Sequence, residues 1–364
     1  MERDFFLAFA VSNGVGPRRF ESLLKHFGLA QKAWSGSRNE FEKCGVKDKT
    51  FEKFDAFRKK FNLEKYLSQL QEKNIWFVTQ NEKEYPQNLK SLSNPPIVLF
   101  GRGDKSCLKF SKTIGVVGTR KVTGYGREVT ESLVSDLVSF GFIIVSGMAM
   151  GVDAIAHSAC LDNKGKTIAV LGNGVDLPFP RENQSLYKKI IESGGAVVSE
   201  YPPGVNPSKG SFPARNRIIA ALSLGVLITE AAEDSGSLIT AEWSLKLGKK
   251  VFSVPGSINS MMSRGSLKLL KQGAVLVRDS KDILDELSIS NSQFSNKSKK
   301  TNYKQKGLSK EEIKICKLLE NEPMQTDDIA KKLKIPVWQI SATLSELEMK
   351  GVVTSARGVI SLTS

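Results

Sequence analysis

Histidine is nearly absent from this chain of 364 residues: His26 and His157 are the only two. The four cysteines (Cys44, Cys107, Cys160, Cys316) are scattered, without a C-x-x-C pair. Neither a zinc site nor a disulfide framework is therefore expected, and no metal or other cofactor is assigned. No apolar run approaches the roughly 18 residues that a membrane-spanning helix needs, so no membrane partner is expected. The opening MERDFFLAFAVSNGVG lacks a basic leader and a small-residue cleavage site, so the expectation is a cytoplasmic protein with reduced thiols.

Acidic residues are outnumbered, 38 against 53 Lys and Arg, giving a net charge of +15. The excess is uneven: 15 basic against 10 acidic residues in 1–75, 25 against 20 in 76–288, 6 against none in 289–310, and 7 against 8 in 311–364. Such a balance favours a polyanionic partner such as nucleic acid; surface lysines serving solubility alone are the plain alternative.

Pattern divides the chain at the same places. Residues 1–75 carry apolar positions at helical spacing, as in FESLLKHF and LEKYLSQLQEK. Within them AVSNGVGPRRFESLLKHFG predicts a helix, a tight turn using positive φ at Gly14 and Gly16, and a second helix opened by Pro17. This resembles a helix-hairpin-helix or SAM-like unit, which implies a grip on a DNA phosphate; the alternative is a plain helical connector, since short hairpins of this kind often only pack.

Over 76–288 short β-rich runs (IWFVTQ, TIGVVG, FIIVSG, TIAVLG, AVVSEY, VLITEA, KVFSVP, AVLVRD) alternate with helical segments. That alternation predicts βαβ units and an α/β, doubly wound, Rossmann-like parallel sheet, with IVLFGRGD adding a strand at an edge. Residues 289–310, free of acid, read as a flexible basic linker. Three helices and a hairpin over 311–364 predict a C-terminal winged helix. Its third helix carries Trp338, Gln339, Glu346 and Glu348 with Lys350 only at the end, so a protein contact is expected rather than primary DNA binding.

In a doubly wound sheet, ligands bind beyond the carboxyl ends of the strands. After the first parallel strand come Gly118, Thr119, Arg120 and Lys121; the spacing is not G-x-G-x-x-G, yet a Gly-Thr-Arg turn before a helix suits a phosphate. Ser146, Gly147 and Gly151 follow the second, Gly172 and Gly174 the third, and Ser235, Gly236 and Ser237 the stretch VLITEAA. Serines at a helix start are more often simple N-caps, but several such loops converging on one sheet edge form an anion cradle. Asp153 and His157, four apart on one helix face, fit either an acid/base pair or a structural hydrogen bond from helix to sheet. FPARNRIIAALS places Phe212, Arg215 and Arg217 at the entrance of an apolar helix, to be read either as a solvated cap on a buried helix or, beside the other loops, as one wall of a phosphate-binding edge.

Six ordered motifs, VVGTRKVTGYG, IIVSGMAMGVDAIAH, TIAVLGNGVDLPFPREN, VVSEYPPG, FPARNRIIAALS and SGSLITAEWSLKLGKKVFSVPG, resemble the DNA-processing protein A (DprA/Smf) family over roughly residues 76–278. The resemblance implies a non-catalytic protein of natural transformation. Such a protein binds and protects incoming single-stranded DNA, helps load the RecA recombinase, and self-associates as a homodimer through the Rossmann-like domain. It implies DNA contacts at Arg120, Lys209, Phe212, Arg215 and Arg217; Lys121 joins them on charge. Two positions depart from the family pattern: Thr119 where serine is usual before the arginine, and Leu267 where asparagine is common.

Two rivals remain on sequence grounds. Phosphate loops with Asp153, His157 and Glu230 would also suit a nucleotide N-glycoside hydrolase, although its P-G-G-x-G-T-x-x-E loop is missing. A winged-helix regulator with a sensory α/β domain would instead prefer a defined duplex site.

Overall fold

Nine short strands, most of them runs of Val, Ile and Ala, build the centre of the molecule. The structure, a computed structural model, describes residues 1–12, 14–287, 308–319, 324–356 and 359–362. The strands are β1 (Trp76–Thr79), β2 (Val98–Gly103), β3 (Thr113–Val117), β4 (Ile143–Ser146), β5 (Thr167–Val170), β6 (Ala196–Ser199), β7 (Gly225–Ile228), β8 (Lys250–Ser253) and β9 (Val275–Leu276). They form one sheet in the order β1-β2-β6-β5-β4-β3-β7-β8-β9. From β6 to β9 along that order every pair is parallel, while β1 and β2 join antiparallel. The run IVLFGRGD thus lies one strand in from the edge, because the Trp76–Thr79 strand covers its outer side.

Strands β3 to β7 are buried at every residue, as expected where helices cover both faces. Alternate side chains feed separate cores. Val117, Val145, Val170 and Val226 meet Ile218, Ile219 and Ala221 of the Ser211–Leu222 helix on one face. Ile114, Val116, Ile144 and Leu227 meet Leu133, Val134 and Ala156 on the other. From β3 the chain winds first through β4, β5 and β6, then returns to lay β7, β8 and β9 on the opposite side. The topological switch point therefore falls between β3 and β7, where diverging connections open a crevice at the strand ends.

Six helices precede the sheet, from Glu2–Val11 to Leu63–Glu72. Their core is aromatic: Phe9 and Phe54 stack at 5.2 Å, and Phe6, Phe20 and Phe41 pack around them. The same core continues into Phe77, Val98 and Phe100 of β1 and β2, and residues Met1–Ile289 form one compact unit. The boundary near residue 75 accordingly marks a change of element type within a shared core. In the hairpin turn Gly14 takes φ of +104°, whereas Gly16 is extended at −81° and serves as N-cap to the helix begun by Pro17. Asn13 in that turn lies outside the described residues, as does the basic linker up to residue 307.

The second unit, Ser290–Ser364, contains helices Lys310–Leu319, Thr326–Leu333 and Val337–Met349. Its sheet joins β10 (Met324–Gln325), β11 (Val353–Ala356) and β12 (Val359–Leu362) in the order β10-β12-β11, a winged helix. Ile315, Ile329, Ile340, Leu344 and Leu347 fill its core.

Candidate nucleic-acid interface

The turn after β3 is held from two sides. Thr119 donates its N–H to the Glu230 carbonyl beyond β7 at 2.7 Å, and its own carbonyl accepts from Val152 N at 3.1 Å. Both approaches need glycine. A β-carbon at Gly118 would lie 2.6 Å from the Glu230 carbonyl, and one at Gly151, where φ is +79°, would lie 2.3 Å from the Thr119 carbonyl. The Thr119 hydroxyl accepts Lys121 N at 3.1 Å, closing the turn and leaving Arg120 and Lys121 exposed at its tip. Beyond it, Thr123 caps the Gly124–Ser139 helix, accepting from Gly126 N. Thr123 also donates its N–H and hydroxyl to the two oxygens of the Glu230 carboxylate, at 2.8 and 2.7 Å. Glu230 is thereby an anchor between β7 and this helix.

The Ser211–Leu222 helix enters over the ends of β4 and β5. Arg215 is buried and donates to the Gly147 carbonyl at 2.6 Å and to the Val170 carbonyl, tying together the carboxyl ends of β4 and β5. Burial lowers its pKa to about 10; neighbouring Arg120 adds to the drop and Asp153 opposes it. Asp153 accepts from Gly147 N at 3.1 Å and Ala149 N at 3.2 Å, and burial pushes its carboxyl above the usual range. His157 bonds elsewhere: Nδ1 meets the Thr167 hydroxyl at 2.7 Å, and burial, with the Arg215 charge adding, lowers the imidazole to about 3. The i,i+4 pair thus splits, Asp153 ordering a loop and His157 tying helix to sheet.

Arg217 points away from the crevice. Its guanidinium takes both Glu200 oxygens at 2.7 Å, with Asn94 and the Ala214 carbonyl accepting its remaining contacts. Two residues along a helix start diverge by about 200°, which is why one arginine lies under the crevice and the other behind it.

Between these elements lies a cleft of about 970 Å³ at the carboxyl ends of β3 and β7. Gly118, Thr119, Arg120, Lys121, Asp153, Lys209, Phe212, Arg215, Ser235, Gly236 and Ser237 all line it. The other sequence-derived positions support it from behind. Ser146 donates to the Val116 carbonyl at 2.7 Å. Gly147 and Gly172 make room for the protein's own Arg215 and Phe212, and Gly174 packs on the Pro202 and Gly204 backbone, away from the cleft. The expected close approach of ligand to these three glycines is thus replaced by close approach of the chain itself.

Sequence reading passed over four features of this site. Phe179, 39% exposed, stacks on Phe212 with centroids 5.5 Å apart, and the Arg120 guanidinium sits over the Phe212 ring at 5.9 Å. Arg264, Met261 and Met262 line the wall contributed after β8. Glu233 and Asp234 place acid on the lip after β7. A signal for Arg264 existed: SRGS repeats, after β8, the small-residue-plus-arginine composition of the other strand-end loops. Arg120, Lys121, Lys209 and Arg264 are all exposed, and none is ion-paired among the described residues.

A doubly wound α/β protein with a cationic cleft at its switch point, followed by a winged helix, is the class these features define. The family model for DNA recombination-mediator protein A matches residues 76–288, and that for the DprA winged helix domain matches 300–358. The chain belongs to the DNA recombination-mediator protein A family, in agreement with the motif resemblance. It is 40% identical to Protein Smf of Synechocystis over 292 residues, covering 79% of this chain and 73% of that protein. The crystal structure of DNA processing protein A from Streptococcus pneumoniae superposes with a TM-score of 0.68 at 32% identity, covering 78% of this chain and 97% of that one. A structure of DNA processing protein A from Helicobacter pylori, described for its single-stranded DNA binding mode, gives 0.54 at 32% identity over 59% of this chain and 97% of its own. Among the described residues no helix is long and apolar enough to cross a membrane.

Proposed function

We propose that this chain binds single-stranded DNA, without regard to base sequence, in the cleft between β3 and β7. The observation that carries this reading is the set of unpaired exposed cations in one cleft beside a half-exposed aromatic pair. A single strand needs a cationic track for its backbone and flat apolar surfaces for its unstacked bases. Arg120, Lys121 and Lys209 are assigned to phosphates and Phe212 to a base, with Ser235, Gly236 and Ser237 as a hydroxyl and amide cradle. Arg215 lies at the cleft floor, adding charge beneath the strand. The single-stranded DNA binding of the Helicobacter relative supports the same role.

Family membership supports, as part of this proposal, protection of incoming DNA in natural transformation and delivery to the RecA recombinase, in the cytoplasm and as a homodimer through the sheet domain. Within this reading the helical domain, residues 1–75, supports the binding domain 76–288, and the basic linker 289–310 leads to the winged helix 311–364. That winged helix is assigned a protein contact. Its Lys350 is taken by Glu312 at 2.6 Å, while Trp338 on the third helix is 74% exposed. A nucleotide hydrolase is less well supported, because His157 is fully buried behind the cleft and Glu230 already holds Thr123.

The test is fluorescence anisotropy with a labelled single strand and its duplex at two salt concentrations, followed by RecA filament assembly on the complex. The strand should be preferred, with log K falling against log salt with a slope of about −2 to −3 for three or four contacts. Arg120→Ala and Lys209→Ala should each weaken binding and flatten that slope by about 0.7. Unchanged affinity and slope in both variants, or release of free base from nucleoside monophosphates, would overturn the reading.

A further inference from the structure

We infer that the segment Met261–Arg264 is a second strand-binding wall, in which Arg264 takes a backbone phosphate and Met261 packs against a base. The inference rests on the proposed single-strand binding and adds a contact surface that the motif loops do not contain. Both residues line the cleft together with Gly118, Thr119 and Arg120, and Met261 leaves 66% of its surface exposed.

The placement of this wall is fixed rather than adventitious. Gly265 donates its N–H to the Ala231 carbonyl at 2.8 Å, and a β-carbon on it would lie 2.3 Å from the Ala232 carbonyl. The backbone beside Arg264 is therefore clamped to the loop leaving β7. Ser266 adds a second donor to Ala231 at 3.3 Å, and the Ser253 hydroxyl reaches the Ser266 carbonyl at 3.1 Å. On the other side, the Thr119 hydroxyl contacts the Met262 sulfur at 3.8 Å, joining the wall to the turn that carries Arg120. Two rigid attachments thus hold an arginine and an exposed thioether along the cleft occupied by Arg120 and Lys121.

Charge decides the occupant. Arg264 is exposed and has no ion pair among the described residues, although Glu233 and Asp234 line the same cleft. An arginine that lines the cleft and pairs with neither carboxylate stays available for an external anion. An unbranched, polarisable thioether packs on any base face, so the wall tolerates sequence. Leu267, where asparagine is common in the family, does not line the cleft; Arg264 supplies polar reach from three residues earlier.

The experiment titrates wild type, Arg264→Ala, Met261→Ala and Arg120→Ala against a labelled oligothymidylate and an abasic strand of equal length, across a salt series. Arg264→Ala should flatten the salt slope by about 0.7 on both strands. Met261→Ala should weaken oligothymidylate binding roughly two- to tenfold at unchanged slope, with no effect on the abasic strand. Thermal melts of both variants should match wild type, since neither side chain is buried. If either signature is missing while Arg120→Ala behaves as expected, the wall assignment fails and single-strand binding stands. If wild type binds no strand, both readings fail together.

Discussion

The guanidinium of Arg215 fills the space that a side chain at Gly147 would need: a β-carbon there would lie 2.5 Å from Nη2. Glycine at the end of β4 is thus a requirement of a buried arginine in a distant helix. Gly147→Ala should push Arg215 off the Gly147 and Val170 carbonyls and cost about 1–3 kcal/mol by overpacking. Urea melts measure the loss. The salt slope of strand binding should stay within that of wild type, because no exposed cation is removed. A fully stable Gly147→Ala protein would show that the guanidinium can relocate freely.

Arg217 should behave as a scaffold residue. It is nearly inaccessible, and its partner Glu200 is only slightly more exposed. Removing one member of a buried, bidentate pair leaves the other charge uncompensated, a loss of about 3–5 kcal/mol. Arg217→Met should therefore lower the urea midpoint strongly, and the folded fraction should bind single strands with the wild-type salt slope. A slope flattened as in Arg120→Ala, with stability intact, would place Arg217 on the strand instead.

The aromatic pair separates direct from supporting roles. Phe212 is assigned to a base, so Phe212→Ala should weaken binding roughly 5- to 150-fold, the range of one base–aromatic stack. Phe179 holds the Phe212 ring by an offset stack, and Phe179→Ala should cost less, roughly 2- to 10-fold. Neither variant should alter the salt slope, and neither loss should appear on an abasic strand. Equal affinity of Phe212→Ala and wild type for oligothymidylate would remove the stacking assignment.

The sheet was legible because its strands are short apolar runs and its connections are helical, a pattern that periodicity reports directly. The strand-end loops were legible for a similar local reason: Gly-Thr-Arg and Ser-Gly-Ser are dense in residues that turns and helix starts require. What sequence could not separate was direction. Arg215 and Arg217 look alike in FPARNR, and only the placement of Glu200, Asn94, Gly147 and Val170, far apart in the chain, assigns one to the cleft floor and one to the scaffold. Likewise Phe179 and Phe212 are 33 residues apart, and no local pattern announces that their rings meet. The glycines were found by their loops but read for a ligand, whereas Gly147, Gly151 and Gly172 make room for the protein's own groups.

Lys249 holds the far end of the helix that carries Phe212 and Arg215. Its ammonium donates to the carbonyls of Ala220, Ala221 and Ser223 at 3.0, 2.7 and 2.6 Å, satisfying acceptors that a helix C-terminus leaves open. Lys249→Met keeps the apolar stem and removes the donor, so it should lower stability by about 2–3 kcal/mol. Denaturant melts read that cost. Strand affinity measured well below the transition should match wild type, since Lys249 does not line the cleft. A variant as stable as wild type would mean that water replaces the ammonium without loss.

His157 should make the fold sensitive to acid. Burial lowers its pKa to about 3 in the folded chain, against an ordinary value of 6.5, so the unfolded chain binds the proton more tightly. Stability contributed by the neutral ring is therefore fully present above pH 6.5 and is lost as pH falls from there toward 3. The loss approaches about 1.4 kcal/mol per pH unit, or about 2 kcal/mol at pH 5. Asp153, whose carboxyl is raised by the same burial, acts in the opposite sense, so the informative quantity is the difference between two proteins that both retain it. His157→Gln preserves a polar partner for Thr167 and cannot titrate. Its urea-derived stability should be lower than wild type at about pH 7.5, and the gap should narrow by about 2 kcal/mol at about pH 5. A gap that stays constant between those pH values would mean that the imidazole takes up its proton as readily in the folded chain as in the unfolded one, contrary to its enclosure between helix and sheet.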